Sequence, residues 1–392
     1  MFYNYGMDDD IVRLKSLSEQ MIFEPAEDYS PTGASYVEKA EKCPEEVFVH
    51  PAVLPNGKRI KLLKTLLTSA CERDCFYCPF RAGRNFRRAT FLPEEFARLF
   101  AMLSRKGITE GVFLSSGIAG GGIRTQDKLI DAADIMRHKL GFRGYIHLKI
   151  MPGAERSQVE RAMQLADRVS INLEAPNDNR LAKLAPHKQF TEELLQPLKW
   201  VEQIRRSQPG NKGWNGHWPS TVTQFVAGGA GESDLELLTT TDYLYRRLGL
   251  RRAYFSPFSP IADTPLENQQ ATPIIREHRL YQASFLLRDY GFGLEELPFE
   301  IDGKLPIQID PKLAWAKKNL SENPIEVNKA ERLALMRIPG IGPKSADAIM
   351  MMRRLAKIND ESALKKMGIM IERAAPYLLF NGRKASYQPT LF

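Results

Sequence analysis

The chain has 392 residues, of which 43% are hydrophobic, so it can bury a sizeable core and is not globally disordered. No apolar run approaches ~20 residues, and the acidic start lacks the apolar region of a secretory signal, so we expect neither a membrane span nor secretion. The formal net charge is +8, with 12 Lys/Arg against 6 Asp/Glu between Pro324 and Phe392. This terminal excess of positive charge indicates either an anionic partner or a soluble basic tail.

Strand-like and helix-like segments alternate along most of the chain. Residues 1–58 show weak periodicity and are predicted to be an N-terminal extension. Apolar strand-like runs follow at 60–69, 111–116, 145–150, 168–174, 220–226 and 252–258. Segments with the three- and four-residue spacing of amphipathic helices lie at 91–106, 125–140, 154–167, 190–206 and 232–249. This alternation predicts an α/β fold in which a parallel sheet forms a partial (β/α)6 barrel over residues 59–297.

Three cysteines, Cys71, Cys75 and Cys78, form a C-x3-C-x2-C pattern directly after the first predicted strand. In βα barrels the loops at the carboxyl ends of the strands carry the chemistry. Three thiolates can hold three irons of a 4Fe–4S cluster and leave the fourth iron open for a substrate or cofactor. Cys43 lies 28 residues before this triplet, and we expect it to have no cluster role.

A zinc site is the main alternative for these cysteines. It would need four ligands in tetrahedral positions, and no nearby His or Cys completes such a set. A disulfide framework is disfavoured because the chain has only four cysteines in 392 residues. A reduced, cytoplasmic setting fits both the cysteine content and an oxygen-sensitive cluster.

The run CERDCFYC, from Cys71 to Cys78, resembles the signature of the radical SAM (S-adenosylmethionine) superfamily, including the aromatic Tyr77 before the third cysteine. The resemblance implies a 4Fe–4S cluster whose open iron binds the amino and carboxylate groups of SAM. It further implies that reductive cleavage of SAM gives a 5′-deoxyadenosyl radical that removes hydrogen from a substrate. A flavodoxin- or ferredoxin-type protein is the expected electron donor.

Loops after later strands resemble the SAM-binding segments of this superfamily. Ser115, Ser116 and Gly117 stand where many members have Gly-Gly-Glu and would face the amino group of SAM. The acidic residue is missing here, and a flexible glycine-rich turn is the alternative. Val226, in a segment that resembles the superfamily's G-x-I-x-G-x-x-E pattern, would pack on adenine, with Glu232 supporting that loop.

Asn172 and Glu174 end the fourth predicted strand, where alternation aims both side chains into the barrel. An uncompensated carboxylate would be costly there. A ribose hydroxyl or the ammonium group of SAM would satisfy Glu174, and a structural salt bridge is the alternative.

Two groups of basic residues lie near the predicted site. Lys149, Arg180, His187 and Lys188 could meet a phosphate-bearing substrate, although surface or structural roles are the commoner outcome. A second group follows the cysteines and consists of Arg81, Arg84, Arg87 and Arg88 with Phe86. Arginines beside an aromatic ring suit phosphates and unstacked bases, and a solvated surface is the alternative.

Prolines interrupt residues 298–325, which we interpret as a linker, and a small all-α domain is predicted over 326–392. Within it, the segment from Ala334 to Ile349 resembles a helix–hairpin–helix motif. The resemblance implies non-specific contacts with the DNA backbone, whereas a hairpin for protein contacts is the alternative. The predicted DNA-binding residues are Pro339, Gly340, Ile341, Gly342, Lys344 and Ser345.

A radical SAM barrel joined to this hairpin resembles the DNA modification/repair radical SAM proteins. The resemblance implies radical chemistry on DNA and a uracil-DNA glycosylase-like partner protein. Two other functions stay open: an RNA-modifying radical SAM enzyme, and a non-enzymatic iron–sulfur DNA-binding redox sensor.

Overall fold

The computed structural model describes residues 5–19, 21, 49–54, 57–210 and 213–384. It divides into two compact units, one of residues 1–232 with 244–272 and the other of residues 233–243 with 273–392. Cys43 lies outside the described residues. No helix among the described residues is long and apolar enough to cross a membrane.

The first unit is built on a seven-stranded sheet whose strands follow one another in chain order. Its strands are β1 (Val49–Val53), β2 (Arg59–Leu66), β3 (Gly111–Ser115), β4 (Tyr145–Lys149), β5 (Arg168–Ser170), β6 (Ser220–Ala227) and β7 (Arg252–Pro257). Strand β1 pairs with β2 in the antiparallel sense, and all later pairs are parallel. The predicted α/β fold, a curled parallel sheet that forms a half-barrel, is confirmed.

Helices connect the parallel strands of the first unit, and one further helix precedes β1. They are α1 (Tyr5–Glu19), α2 (Pro93–Arg105), α3 (Gly122–Asp134), α4 (Arg156–Leu165), α5 (Asp178–Leu184), α6 (Gln196–Ser207) and α7 (Asp234–Leu248), the last of which crosses the boundary between the units. A π-helical turn, Ile135–Lys139, follows α3, and another, Phe190–Leu195, precedes α6. All five predicted helical segments are present, whereas α1, β1 and the short α5 were not predicted.

Burial on both faces explains the apolar strand patterns. All five residues of β3 are buried, as expected for a parallel strand covered by helices. Strand β5 ends at Ser170, earlier than the predicted limit of 174. Glu174 has a φ of 64°, outside the range of an extended strand, yet it still pairs with Phe225 of β6 through an isolated parallel bridge.

The second unit is mainly helical but also contains a short three-stranded sheet, so the prediction of an all-α region after residue 326 is wrong in this respect. Its elements are α8 (Ile274–Asp289), α9 (Pro311–Asn319), β8 (Ile325–Glu326), α10 (Arg332–Met336), α11 (Pro343–Leu355), α12 (Glu361–Lys366), α13 (Ile371–Ala374), β9 (Leu378–Phe380) and β10 (Arg383–Lys384). One core includes Leu335, Ile341 and Ile349, and Ala316 from the predicted linker belongs to it as well. The predicted domain boundaries stay predictions.

Candidate functional site

The residues predicted to bind a cluster and SAM line one cavity in the first unit. From the cysteine segment these are Cys71, Cys75, Tyr77 and Cys78, and from later strands Ser115, Ser116, Gly117, Asn172, Glu174 and Val226. The carboxyl ends of parallel strands meet at one edge of a sheet, which brings side chains from distant parts of the sequence together. Lys149, Lys188 and the β7 segment Ser256–Phe258 also line this cavity.

The three cysteines are free thiols on the same cavity wall. Burial raises the pKa of Cys75, an effect that the Lys188 cation opposes. Burial and the neighbouring Cys75 raise the pKa of Cys78, so the thiols lie close enough to influence one another. No group of three or more His, Cys, Asp or Glu side chains in the described ranges is arranged to hold a metal ion as it stands. Three thiols facing one cavity nevertheless supply the donors that a three-cysteine iron–sulfur site needs.

A buried ion pair lies beside the cysteines. Lys188 Nζ lies 3.2 Å from Glu174 Oε1, and the two side chains are only 9% and 7% exposed. Burial alone lowers the pKa of Lys188, but the Cys75 thiolate and the Glu174 carboxylate outweigh it and raise the pKa above its usual value. Tyr77 also hydrogen-bonds to Glu174. The structural salt bridge, which the sequence left as an alternative, is therefore present, and contact between Glu174 and SAM stays a prediction.

Arg88 fastens the backbone of the cysteine segment. Its guanidinium donates hydrogen bonds to the carbonyl oxygens of Ser69 at 2.8 Å, Phe80 at 2.9 Å and Arg81 at 2.9 Å. The same group lies 4.3 Å from the centre of the Phe86 ring. Arg88 thus joins both ends of the segment that carries the cysteines, which is a structural role rather than the predicted contact with phosphates or bases.

Charged residues between the cysteines connect this segment to its neighbours, a role that the sequence analysis missed. The Glu72 carboxylate accepts hydrogen bonds from the backbone amides of Gly120 at 3.0 Å and Gly121 at 3.1 Å. Arg73 donates to the carbonyl oxygen of His187 at 2.7 Å and forms an ion pair with Glu193 at 2.5 Å. The only sequence signal is their placement between the cysteines, which does not identify partners so far along the chain.

Gly117 permits a close approach between two loops of the site. Its amide donates to the carbonyl oxygen of Thr68 at 2.7 Å. A Cβ atom at this position would lie 2.3 Å from the Ala70 carbonyl oxygen and 3.2 Å from Cys71 Cβ. The absence of a side chain therefore places the glycine-rich loop against the backbone that leads into the first cysteine.

The four basic residues that were considered for a phosphate-bearing substrate do not all reach the cavity. His187 pairs with Asp74 at 2.8 Å, and Arg180 donates to the carbonyl oxygen of Ala230 at 3.3 Å. Lys149 is buried and lies 5.9 Å from the centre of the Phe113 ring. Of the four residues considered for a phosphate-bearing substrate, Lys149 and Lys188 line the cavity.

The loop after β6 is held in shape by a carboxylate that belongs to the same loop. Glu232 accepts hydrogen bonds from the backbone amides of Gly228 and of Ala230, the latter at 3.2 Å. Glu232 thereby closes the turn that follows Val226, which is buried in β6 and lines the cavity.

Comparison with known proteins agrees with this site. Residues 65–244, which include the cysteines and the strands β3 to β6, match the sequence model of the Radical SAM superfamily. The match supports a radical SAM domain over this part of the chain, as the sequence predicted. Members of this superfamily use a 4Fe–4S cluster and S-adenosylmethionine, which confirms the predicted cofactors. A search of curated proteins finds no match to this chain.

Solved structures of radical SAM enzymes are similar to the chain at low sequence identity. The FeFe-hydrogenase maturase HydG from Carboxydothermus hydrogenoformans is 16% identical, with a TM-score of 0.45, over 72% of this chain and 63% of that one. Methylornithine synthase (PylB) is 14% identical, with a TM-score of 0.46, over 72% of each chain. The methyltransferase TsrM from Kitasatospora setae is 11% identical, with a TM-score of 0.39, over 67% of this chain and 45% of that one. The chain thus spans less than two thirds of the maturase, and these likenesses say nothing of its substrate.

We predict that Gly117→Ala lowers the iron and sulfide content after anaerobic reconstitution, because the new methyl group pushes against the backbone next to Cys71. Ser116→Ala is the matched control, since it adds no volume in the same loop, and it should load like the wild type. Equal loading of Gly117→Ala and wild type would show that the two loops separate without cost.

We also predict that Arg88→Met destabilises the first unit by about 2–4 kcal/mol, because buried carbonyl groups lose their donors. The variant should show a lower melting temperature and reduced iron binding. Arg87→Met is the control, because it makes the same substitution at an exposed neighbouring position. Indistinguishable melting curves for the two variants would rule out the fastening role of Arg88.

Proposed function

We propose that this protein performs SAM-dependent radical chemistry on DNA. One observation supports the radical chemistry. A cavity of the radical SAM domain is lined by the three cysteines and by all of the predicted SAM-binding residues. When bound, the cluster and SAM supply a 5′-deoxyadenosyl radical that can remove a hydrogen atom from a substrate. A flavodoxin- or ferredoxin-type donor would provide the electron.

The residues of the chain would bind, orient and shield these groups. Cys71, Cys75 and Cys78 would hold three irons, and the Lys188 cation would offset part of the negative charge of the thiolates. Buried Val226 would give an apolar wall on which adenine can pack. The Glu174–Lys188 pair is already satisfied internally, so it can keep its position as the cavity fills.

The second unit supports DNA as the partner through the turn between α10 and α11. The Ile341 amide donates to the Ile338 carbonyl oxygen at 3.1 Å, and Gly340 has a φ of 84°. Pro339 followed by a glycine of positive φ gives a type II β-turn. Pro339 and Ile341 are buried, so these two predicted DNA-binding residues would shape the turn rather than touch DNA through their side chains.

The start of α11 offers donors to an anion. The first intrahelical bond runs from the Ala346 amide to the Gly342 carbonyl oxygen at 2.8 Å, and Gly342 has no capping side chain. The amides of Lys344 and Ser345 therefore precede Ala346, the first amide that donates within the helix, and helix N-termini of this kind bind phosphates. Lys344 is exposed and adds a charge. Such contacts favour non-specific, salt-dependent binding to a DNA backbone.

Lys312 supports the hairpin from behind. Its Nζ donates to the Ile341 carbonyl oxygen at 2.6 Å and lies 4.6 Å from the centre of the Tyr290 ring. Burial lowers the pKa of Lys312 to about 7, and Arg373 acts in the same direction while Asp310 opposes it. The turn is thus held by its own core and by a partly buried amine, which keeps the start of α11 in a fixed position.

A base in duplex DNA would have to leave the stack for its atoms to reach the lining of this cavity. DNA with an unpaired or damaged base should therefore bind more tightly than intact duplex. A uracil-DNA glycosylase-like partner would fit the same task, because it also acts on single bases.

The first test is anaerobic. The reconstituted protein is reduced with dithionite in the presence of SAM, and 5′-deoxyadenosine is measured with and without DNA that contains an unpaired base. We expect product that rises with this DNA, and none from Cys75→Ala, whose DNA affinity should stay within about twofold because its substitution lies in the first unit. A rise with transfer RNA alone would favour an RNA-modifying enzyme. A loaded cluster that never cleaves SAM would favour a redox sensor.

The second test concerns the hairpin. Gly340→Val places a side chain at a positive φ, with its Cβ 2.8 Å from the Met370 carbonyl oxygen, so it should distort the turn at a cost of about 1–3 kcal/mol. We expect DNA affinity, measured by fluorescence anisotropy, to fall at least tenfold while SAM cleavage without DNA is kept. Gly368→Val is the control, because it makes the same substitution at a positive φ of 77° outside the hairpin, where a Cβ atom would meet nothing within 4 Å. If Gly340→Val binds DNA normally, the hairpin is not the DNA contact.

A further inference from the structure

Besides Lys344 at the hairpin, the second unit carries another group of basic residues, at the opposite end of α11. A groove there is lined by Lys329, Arg353 and Lys357, together with Glu326, Asn328 and Asn381. We propose that this groove is a phosphate site that binds a phosphodiester group of the DNA backbone, separate from the hairpin contact. The proposal rests on DNA being the partner, and it adds a second point of attachment.

The arginine of the groove is fixed in place before any ligand arrives. Arg353 Nη1 donates to the carbonyl oxygens of Val327 at 3.2 Å and Ala330 at 2.5 Å. A guanidinium has five N–H donors, so these bonds orient the group without using all of them. Arginine held in this way is suited to phosphate recognition, because little side-chain freedom is lost on binding.

Asparagine side chains fix the walls of the groove. Asn328 exchanges two hydrogen bonds with the backbone of Ile358: its Nδ2 donates to the carbonyl oxygen at 2.8 Å, and its Oδ1 accepts from the amide at 2.9 Å. Asn381 lies in an Asn-Gly turn with a φ of 53° and donates to Asn359 at 3.1 Å. The lining therefore has a defined shape formed by three separate segments of the chain.

The balance of charge in the groove favours an anion. The single carboxylate, Glu326, accepts hydrogen bonds from the amides of Asn328, Asn381 and Gly382 at 3.1, 3.2 and 2.8 Å. These bonds hold its pKa below the usual value although burial raises it. Lys329 and Lys357 are both exposed, and within the described ranges neither has an ion-pair partner. Three cations thus share one small groove with a carboxylate that is already bonded to the backbone.

The groove and the hairpin lie at opposite ends of α11, too far apart for one phosphate group to contact both. At 1.5 Å per residue, Lys344 in the first turn of α11 and Arg353 in its last turn are roughly 14 Å apart. One phosphate group cannot reach both, whereas a DNA strand places about four phosphates over that length. Two cationic points on one helix therefore fit a polyanion better than a small phosphate compound, although the recognised group is the same.

The groove proposal is tested by comparing DNA binding of matched variants of the full chain. Lys329→Gln/Lys357→Gln removes both exposed cations and leaves the backbone bonds of Arg353 intact. Lys106→Gln/Lys128→Gln makes the same charge change at exposed positions of the first unit. Binding of a fluorescent 20-base-pair duplex is followed by anisotropy between 50 and 300 mM salt. We expect the groove variant to reduce the slope of log affinity against log salt by about 2, one for each phosphate-contacting lysine, and the control to keep the wild-type slope.

The outcomes distinguish the groove proposal from the hairpin proposal. If the wild type binds DNA and Gly340→Val weakens it, but the groove variant keeps the wild-type slope, the groove proposal is wrong and the hairpin proposal stands. If the wild type binds no DNA, both claims fail. In a separate calorimetric arm, inorganic phosphate is titrated into the wild type and the groove variant. Submillimolar binding that only the wild type shows, with an unchanged DNA slope, would identify a small phosphate compound as the occupant and overturn the DNA assignment.

Discussion

The segment between β2 and α2 carries all three candidate iron ligands and contains almost no regular secondary structure, so its shape depends on side chains that bond to its backbone. Arg88 bonds to carbonyl groups before and after the cysteines, and Glu72 bonds to the amides of the glycine-rich loop. These contacts substitute for the hydrogen bonds that a helix or strand would have made internally. Ligands held by a fixed backbone can accept a cluster with little reorganisation.

Charge is used in opposite ways in the two units. In the first unit, Glu174 and Lys188 are buried and paired, and removing either partner would leave an uncompensated charge in a medium of low polarity. In the second unit, Lys329, Lys344 and Lys357 are exposed, so each contributes little to folding. Exposed cations still attract a polyanion, because several weak contacts act together and release counterions. The buried charges thus build a site, and the exposed ones are free to recruit a partner.

Two glycines show why the same residue type serves different purposes. Gly117 is required because a side chain would collide with the Ala70 backbone, whereas Gly340 is required by its positive φ as well as by the nearby Met370 carbonyl group. Gly342 lies in the same hairpin, but its φ is not positive and a side chain there would not collide with backbone atoms. A sequence motif with several glycines therefore conceals unequal constraints, and only the conformation separates them.

The sequence by itself determined the order of the six parallel strands of the first unit, the position of the cysteines after the first of them, and the ten predicted cluster- and SAM-binding residues that line the cavity. These features follow from local periodicity and from the rule that parallel strands end at one edge. Only the tertiary structure decided that Lys188 lies beside Cys75, that Glu174 bridges to β6 at a positive φ, and that Arg88 bonds to the backbone of the cysteine segment. Such pairings join residues far apart in the chain or depend on where a backbone turns, and neither property is encoded in the spacing of residue types.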